Sequence, residues 1–399
     1  MTLLVSVVSV AVMGVCSAAT AVARPSGTTI LPTPAGPHPV GRTILRLIDH
    51  DRPDPWHPDR RRELMVTVSY PATAADSHPL GHYVSQVFGA AVSRYLTQTL
   101  AVPTRAENYV GLRTNAHDGA PVAAGSFPVL LFSPGLGVPR VFGTAAAEDL
   151  ASRGYIVISI DHTFEAQAVE FPGGRVVSGI TPPTDTAASQ RWRTKALAAR
   201  VEDTRSVIDA LTDIARHDDS PASLPDGLVR SIDLTRVGMF GHSLGGFTAA
   251  EAMSADPRIR AAVNLDGSLA IDDQLGSAAT RGLDRPLLLL ASGQVADGGA
   301  LEKSWGAVRR NSTAWQRSMV LPDSGHYSFT DLQLLIPPII SQLAPELAAS
   351  YIGTVDPVTA YRTTVDSVDA VFDHFLRGGP PALLDGPSAG GLATWAPTG

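Results

Sequence analysis

A serine placed between two glycines constrains this chain more than any other feature. The stretch Gly241–Gly245 (GHSLG) directly follows the apolar run Arg236–Phe240 and precedes a helical pattern around Phe247–Ala250. A serine on a sharp strand-to-helix turn has crowded neighbours, and glycines at the flanking positions relieve that crowding. The helix N-terminus beneath the serine also favours developing negative charge. The pattern therefore predicts that Ser243 is a nucleophile at the end of a strand.

Short apolar runs alternate with helical patterns through most of the chain. The strand-like runs are Met65–Val68, Val129–Phe132, Tyr155–Ile160, Arg236–Phe240, Ala261–Leu265, Leu287–Leu290 and Met319–Leu321, and the main helical patterns are Phe142–Arg153, Thr194–Ala215 and Leu332–Leu347. Near-continuous Val, Ile and Leu strands that alternate with helices indicate a mostly parallel, doubly wound sheet with helices on both faces. With the serine turn, this order predicts the α/β-hydrolase fold as a single domain over residues 41–378.

A serine hydroxyl is a weak nucleophile and needs a base, for which histidine has a suitable pKa. In this fold the order along the chain is serine, acid, histidine. Only His326 and His374 follow Ser243. His326 lies in a turn after the strand-like Met319–Leu321, whereas His374 lies in the helical pattern Val368–Leu376, where a surface or packing role is expected. We therefore predict that His326 is the base.

The acid that orients the base has two candidates. Asp297 lies in a Gly-rich loop after Leu287–Leu290, the strand after which this fold usually carries its acid. Asp266 comes one strand earlier, directly after Ala261–Leu265, where its placement is expected to be rigid. Asp272 and Asp273 are further from any strand end and are expected to be surface charges.

The oxyanion of the tetrahedral intermediate needs two backbone N–H donors, one of which comes from the residue after the nucleophile, here Leu244. The loop Ser133–Gly137 follows an earlier strand, and its glycines allow a close approach of the backbone to substrate. We expect the second donor to come from this loop.

Other polar residues carry weaker signals. His162 follows the strand Tyr155–Ile160, so it either lines the pocket or braces a loop through a hydrogen bond. His78 and His82 are four residues apart, but Pro79 and Gly81 argue against a helical metal site, and we predict neither a metal nor a cofactor. The apolar helical face within residues 83–100 suits either a lid or ordinary core packing.

The ends of the chain are expected to lie outside the domain. Residues 1–23 carry no charge and end in Ala21-Val22-Ala23, which predicts a cleaved signal peptide and a secreted protein. Because no Lys or Arg precedes the apolar run, an uncleaved membrane anchor is the alternative. Residues 24–40 are predicted to be a disordered linker, and residues 379–399 a disordered tail. Cys16 is the only cysteine, so a processed chain has no disulfide or thiolate site. The net charge of −7 disfavours nucleic-acid binding.

Six stretches taken together resemble a known family: Phe132–Gly137, Glu148–Tyr155, Asp161-His162, Phe240–Gly246, Val263–Gly267 and Gly325-His326. In this order they are similar to the bacterial relatives of the plasma-type platelet-activating-factor acetylhydrolases, an α/β-hydrolase family. The matching part spans residues 128–330.

The resemblance implies a catalytic triad of Ser243, Asp266 and His326, with the backbone amides of Leu136 and Leu244 as the oxyanion hole. It also implies a metal-independent carboxylic-ester hydrolase acting on phospholipids with short or oxidised acyl chains, or on other small esters. The chain departs from the animal enzymes in having Pro134 where they have a histidine and Leu244 where they have a phenylalanine. Specificity for acetyl phospholipids is therefore not implied.

Several functions are compatible with an acyl-enzyme. The leading prediction is a secreted esterase or lipase that acts on a small-molecule or lipid ester, with transient contact to a lipid surface. An acyltransferase would resolve the same intermediate with an alcohol other than water, and a lipase or polyester hydrolase would accept longer or polymeric esters. A non-catalytic binding protein would normally have lost a triad residue, but all three candidates are present.

Overall fold

The computed structural model describes residues 31–99, 101, 104–216, 224–294, 300–340, 345–381 and 393–394. The strands are β1 (Val40–Pro53), β2 (Arg61–Pro71), β3 (Leu80–His82), β4 (Arg113–Asp118), β5 (Phe127–Ser133), β6 (Ile156–Asp161), β7 (Ala168–Phe171), β8 (Arg175–Ser178), β9 (Ile232–His242), β10 (Ile259–Leu265), β11 (Ala270–Ile271), β12 (Gln274–Leu275), β13 (Leu287–Ser292), β14 (Gln316–Leu321) and β15 (Ala393–Thr394). The helices are α1 (Gln86–Thr99), α2 (Glu107–Val110), α3 (Thr144–Ser152), α4 (Thr186–Arg216), α5 (Leu228–Ser231), α6 (Leu244–Ala255), α7 (Ser277–Arg281), α8 (Ala300–Asn311), α9 (Leu332–Leu335), α10 (Pro337–Ile340), α11 (Pro345–Ile352) and α12 (Pro357–Phe372).

One large sheet organises the described residues, with the strand order β15-β14-β13-β10-β9-β5-β6-β2-β1-β4-β3. All neighbours from β14 to β6 are parallel, and β2 adds to β6 in the antiparallel direction. Parallel neighbours of this kind require crossover connections, which the helices between them supply. This mostly parallel sheet with helices is the α/β-hydrolase fold that the sequence predicts.

An apolar layer lies on each face of the sheet. In β5 the side chains of Leu130 and Phe132 join one layer, whereas Val129 and Leu131 join the other, as the two-residue period of a strand requires. Helices α3 and α12 cover the first layer, and α4 and α6 cover the second. Burial on both faces explains why the central strands are near-continuous apolar runs in the sequence.

The direction of the central strands brings four loops together. The chain leaves β5 at Ser133, β9 at His242, β10 at Leu265 and β14 at Leu321. Because these strands are parallel and close in the sheet, their carboxyl ends lie along one edge, where α/β proteins bind ligands.

Two terminal segments differ from the sequence expectation of disorder. Within the predicted linker, residues 31–39 lie against the domain: the Gly36 amide donates to Ser152 Oγ (2.9 Å), and the His38 amide donates to the carbonyl of the same serine (3.1 Å). Within the predicted tail, β15 pairs with β14. Backbone hydrogen bonding of polar segments is not visible in composition, which is why both were missed. The predicted leader, residues 1–23, lies outside the described residues.

One predicted helix is interrupted. Residues 332–347 show a helical pattern, but Pro337 begins a new helix, α10, directly after α9 has ended at Leu335. Ile336 keeps helical backbone angles, but Pro337 has no N–H to donate to the carbonyl four residues earlier, so the hydrogen-bond ladder of the helix breaks there. In the part of the chain that is described, no helix combines the length and apolar character that a membrane span needs.

Candidate active site

Ser243 occupies a strained turn between β9 and α6. Its backbone has φ +56° and ψ −124°, a conformation that non-glycine residues rarely adopt. A side chain at Gly241 would collide with the backbone of Gly245, and one at Gly245 would collide with the carbonyl oxygen of Ser133. The Ser243 amide donates to the Leu265 carbonyl (2.8 Å), which ties the turn to the end of β10. The glycine spacing in the sequence thus reflects a close approach of backbone segments.

Asp266 and His326 meet above the carboxyl ends of β10 and β14. His326 Nδ1 lies 2.6 Å from Asp266 Oδ2. The Ser292 amide donates to Asp266 Oδ1 (2.7 Å), and Ser292 Oγ donates to Asp266 Oδ2 (3.0 Å). The carboxylate is fully buried, and three donors fix its orientation. With Nδ1–H donated to the carboxylate, a neutral His326 has its lone pair on Nε2.

His242 supports the loop that carries His326. Its ring centroid lies 4.5 Å from that of His326, and its Nε2–H donates to the His326 carbonyl (2.8 Å). Burial, followed by the nearby His326 and Arg200, holds the pKa of His242 well below its ordinary value. His242 is therefore a neutral donor that anchors the backbone of His326.

Within the part of the chain that the structure describes, the amides of Leu136 and Leu244 both lack an acceptor. Leu244 is the first residue of α6, where helix geometry leaves the N–H without an intrahelical partner. Among the described residues, neither amide donates a hydrogen bond. A Cβ at Gly135, the residue before Leu136, would lie 3.3 Å from Ser243 Cβ. The loop Ser133–Gly137 therefore runs beside the turn of Ser243.

A second serine–histidine–aspartate arrangement lies below this loop. His162 Nδ1 lies 2.9 Å from Asp203 Oδ2, and its Nε2 lies 3.0 Å from Ser133 Oγ. The carboxylate accepts the Nδ1 proton, so Nε2 accepts from Ser133. Ser133 and His162 are at most 1% exposed, so no substrate reaches this serine. Two roles were considered for His162. Its contacts and burial are those of a residue that braces a loop through hydrogen bonds, and not of one that lines a pocket.

Electrostatic interactions keep His162 and Asp203 each in one protonation state. Burial, followed by the charge of Arg200, lowers the pKa of His162. Burial alone would raise the pKa of Asp203, but the charge and hydrogen bonds of Arg62 and the hydrogen bond from His162 hold it well below its ordinary value. Arg62 Nη2 lies 2.6 Å from Asp203, and both side chains are fully buried. Asp203 therefore stays ionised while His162 stays neutral.

Sequence reasoning missed Arg200, whose guanidinium contacts the loop Ser133–Gly137 directly. It donates to the carbonyls of Pro134 (2.5 Å) and Gly135 (3.0 Å) and pairs with Glu165. The signal was present in α4, whose buried positions are Trp192, Ala196, Leu197, Ala199, Arg200, Asp203, Thr204, Val207, Ile208 and Leu211. Two charged residues on a mostly apolar buried stripe indicate a buried ionic network.

Three other acidic residues were considered in the sequence analysis. Asp297, the alternative acid, is outside the described residues. Asp272 and Asp273 form ion pairs with Arg193 and Lys303.

The other histidines have contacts of their own. His374 Nδ1 lies 2.7 Å from the Gly379 carbonyl. His82 ends β3, and His78 lies in the extended segment before that strand, so the two do not share a helix face. Within the described ranges no group of three or more His, Cys, Asp or Glu residues could hold a metal.

A cavity of about 480 Å³, with a mixed apolar and polar lining that includes His82, is separate from the candidate triad. Its charged lining residues are Arg42, Arg140, Glu148 and Glu170. Ser243, Asp266 and His326 do not line it. Arg42 and Arg140 are paired with Asp118 and Asp161, respectively.

Comparison with known families gives a direct match. Residues 24–375 match the family described as "Platelet-activating factor acetylhydrolase, isoform II". The chain belongs to this family. The family resemblance drawn from six short stretches is thereby confirmed over most of the chain, and the protein is a serine ester hydrolase.

Individual family members and a solved structure extend this comparison. The chain is 26% identical to the probable 1-alkyl-2-acetylglycerophosphocholine esterase of Arthroderma benhamiae, over 90% of this chain and 92% of that protein. It is 28% identical to the platelet-activating factor acetylhydrolase of Canis lupus familiaris, over 45% of this chain and 43% of that protein. A ferulic acid esterase from Streptomyces cinnamoneus has a similar structure, with a TM-score of 0.75 and 35% identity over 92% of this chain and 99% of that one.

Proposed function

We propose that this family member hydrolyses carboxylic esters through a triad of Ser243, His326 and Asp266. The observation that carries the proposal is the 2.6 Å hydrogen bond between Asp266 and His326 at the sheet edge where Ser243 occupies a strained turn. A buried carboxylate, an imidazole with a free Nε2 and a serine on such a turn are the parts that acyl transfer requires.

In the proposed mechanism Ser243 Oγ attacks the acyl carbon while His326 Nε2 takes its proton. Asp266 stabilises the imidazolium and retains its own negative charge. His326 then protonates the leaving alcohol, which leaves an acyl group on Ser243. A water molecule, deprotonated by His326, attacks this acyl-enzyme and releases the acid.

The tetrahedral intermediates carry an oxyanion, for which we assign the amides of Leu136 and Leu244. The support is that neither N–H group has an acceptor among the described residues and that Gly135 lies against Ser243. Loss of one such donor costs about 10²–10³ in kcat in other serine hydrolases. Leu244 is the first residue of α6, so the partial positive charge of the helix N-terminus also stabilises the oxyanion.

For the substrate we propose esters with a short acyl group, including phospholipids with short or oxidised acyl chains. Leu136 and Leu244 flank the assigned oxyanion hole with branched side chains, and Leu244 also packs against the apolar layer under α6. Family members with names that specify acetyl esters support the same class.

A second candidate is an ester of a hydroxycinnamic acid. The observation in its favour is that the identity to the ferulic acid esterase, 35%, exceeds the 26% to the glycerophosphocholine esterase at similar coverage.

One substrate panel separates the two classes. It contains nitrophenyl acetate, butyrate and dodecanoate, an acetyl and a long-chain phosphatidylcholine, and methyl ferulate, each assayed for kcat/KM. The first proposal predicts that acetyl and butyryl esters are hydrolysed fastest. Faster turnover of methyl ferulate would select the second candidate, and faster turnover of dodecanoate would contradict both. Product analysis with added glycerol tests the acyltransferase alternative, since a glyceryl ester would then form.

We also propose that the protein is exported and that its leader is cleaved after Ala23, on the basis of the uncharged apolar start and the Ala21–Ala23 pattern. N-terminal sequencing of the protein from culture medium tests this proposal. A mature chain that begins at Arg24 supports it, whereas an intact Met1 in the membrane fraction supports the anchor.

A further inference from the structure

The side chain of Arg200 is buried beneath the loop that precedes the assigned oxyanion donor. It is 1% exposed, and its Nε lies 2.5 Å from Glu165 Oε2. Nη1 donates to the Pro134 carbonyl (2.5 Å) and to Ser133 Oγ (3.2 Å), and Nη2 donates to the Gly135 carbonyl (3.0 Å). One planar guanidinium thus connects a helix, a carboxylate and two consecutive backbone carbonyls, a geometry that arginine fits and lysine does not.

Peptide geometry links these contacts to the amide of Leu136. The Gly135 carbonyl and the Leu136 N–H belong to the same peptide unit, which is planar and trans. In such a unit the two bonds point in opposite directions. Because the carbonyl points at Arg200, the N–H points away from Arg200.

The other side of Gly135 faces the nucleophile. A Cβ on this glycine would lie 3.3 Å from Ser243 Cβ and 3.0 Å from His242 Nδ1. Gly135 therefore lies between the buried guanidinium, which holds its carbonyl, and the turn of Ser243.

Resting on the proposed function, we infer that Arg200 is a positioning residue for the oxyanion hole. It holds the Gly135 carbonyl so that the Leu136 N–H is presented to the oxyanion formed on attack by Ser243. Its charge also polarises the peptide unit, which makes the amide a stronger donor, since hydrogen bonds in a chain reinforce one another. Glu165 pairs with the guanidinium, so the buried cation is not left without a compensating charge.

A second feature of the loop also orients the Gly135 carbonyl, and its effect must be distinguished from that of Arg200. The Val138 amide also donates to the Gly135 carbonyl (3.1 Å), and Gly137 has φ +73°, so a tight turn favours the same orientation. If this turn alone sets the direction of the peptide, Arg200 contributes to folding and not to catalysis. The two accounts predict different kinetics.

Two variants of Arg200 and one matched control test the inference. Arg200→Lys retains the charge but has a single donor group, which cannot hold both carbonyls in the geometry of the guanidinium. Arg200→Gln combined with Glu165→Gln removes both charges together, so that no buried carboxylate is left without its partner. The control is Arg153→Lys, because Arg153 forms ion pairs with Asp149, Asp366 and Asp369 and does not touch the loop.

The measurements are the melting temperature, kcat and KM for nitrophenyl acetate, and the inhibition constant of an alkyl trifluoromethyl ketone. This ketone adds to a nucleophilic serine and forms a tetrahedral oxyanion, so its affinity reports on the oxyanion hole. We expect the double variant to lose about 10²–10³ in kcat with KM changed less than about threefold, the effect of one missing donor. Affinity for the ketone should fall by the same factor, and Arg200→Lys should lie between the double variant and the wild type. Arg153→Lys should keep wild-type kcat even where its melting temperature falls.

A folded double variant or Arg200→Lys with kcat and ketone affinity within about threefold of wild type would overturn the inference. Equal losses in kcat and in 1/KM that track the melting temperature across all three variants would also overturn it, because a purely structural role would act in that way. A separate variant tests the proposed function. If Ser243→Ala retained wild-type turnover, the proposed function itself would fail, whatever Arg200 does.

Discussion

The carboxylate of Asp266 lies 2.6 Å from the imidazole Nδ1 of His326, although sixty residues separate them in the chain. The amide and hydroxyl of Ser292, at the end of β13, hold the carboxylate from the other side. β13 is the strand after which this fold usually carries its acid. In this protein its last residue, Ser292, supports Asp266. Three hydrogen bonds thus hold the carboxylate of Asp266, and the acid of the proposed triad requires such a fixed orientation.

Asp266→Asn should lower kcat by about 10⁴ while the protein remains folded. The asparagine oxygen must face the Ser292 amide, so its NH₂ group faces His326 Nδ1. His326 is then driven to the tautomer with its proton on Nε2, which cannot accept a proton from Ser243. Activity and melting temperature of the purified variant check this expectation.

Asp297→Asn is the matched control, and a loss of less than about tenfold is expected. If this variant lost more activity than Asp266→Asn, the acid would lie in the later loop.

The residues that the sequence identified share a local signature. Ser243 has glycine neighbours that its turn requires, and Asp266 and His326 each follow an apolar strand, so their placement at one sheet edge follows from strand direction. Arg200 lies on the mostly apolar stripe of α4, which marks it as buried, but nothing local in the sequence identifies Glu165 as its partner. Their pairing depends on how α4 packs under the loop after β5, which is a tertiary relationship with no local spacing.

Strand β1 was also not identified from the sequence, because this strand depends on contacts that exist only in the folded sheet. In β1, half-buried and exposed positions alternate after Arg42, and Ile44 is 48% exposed, so no continuous apolar run marks the strand. It forms through eleven register positions with β2, which only the assembled sheet provides.

Gly135→Ala should reduce kcat without unfolding the protein. The new methyl group would lie 3.3 Å from Ser243 Cβ and 3.0 Å from His242 Nδ1, closer than most carbon contacts, so the loop and the nucleophile must move apart. Displacement of one oxyanion donor predicts a loss of about 10²-fold in kcat.

Gly137→Ala in the same loop is the comparison. Its methyl group meets no atom within 4 Å, but its φ of +73° is unfavourable for alanine. We expect a lower melting temperature and a smaller kinetic effect than at Gly135. A larger kinetic effect at Gly137 would mean that the path of the turn, and not its distance from Ser243, limits the reaction.

Asp331 should make stability depend on pH. Burial raises the pKa of Asp331 from 3.8 to about 7, an effect that the hydrogen bond from Tyr83 opposes. Between these values the folded protein holds a proton that the unfolded chain has released, so stability falls as pH rises from about 4 to about 7. A protonated Asp331 can donate to Tyr83 Oη, 3.0 Å away, which frees the Tyr83 hydroxyl to donate to the Val141 carbonyl, also at 3.0 Å.

Asp331→Asn mimics the protonated form and does not titrate. Its melting temperature should be close to that of the wild type at pH 4 and above it at pH 8. Thermal unfolding across this range checks the prediction, and a constant difference between the two proteins would show that Asp331 does not titrate there.

The central claim is that Ser243 carries the acyl group. The most direct measurement is labelling with a fluorophosphonate probe, with hydrolysis of nitrophenyl acetate measured in parallel, for wild type, Ser243→Ala and Ser133→Ala. Ser133 is the matched control, since it also has histidine and aspartate partners but is fully buried. The account predicts that Ser243→Ala loses all labelling and about 10⁶ in kcat while remaining folded, whereas Ser133→Ala is still labelled at Ser243. Labelling or turnover at wild-type levels in Ser243→Ala would contradict it.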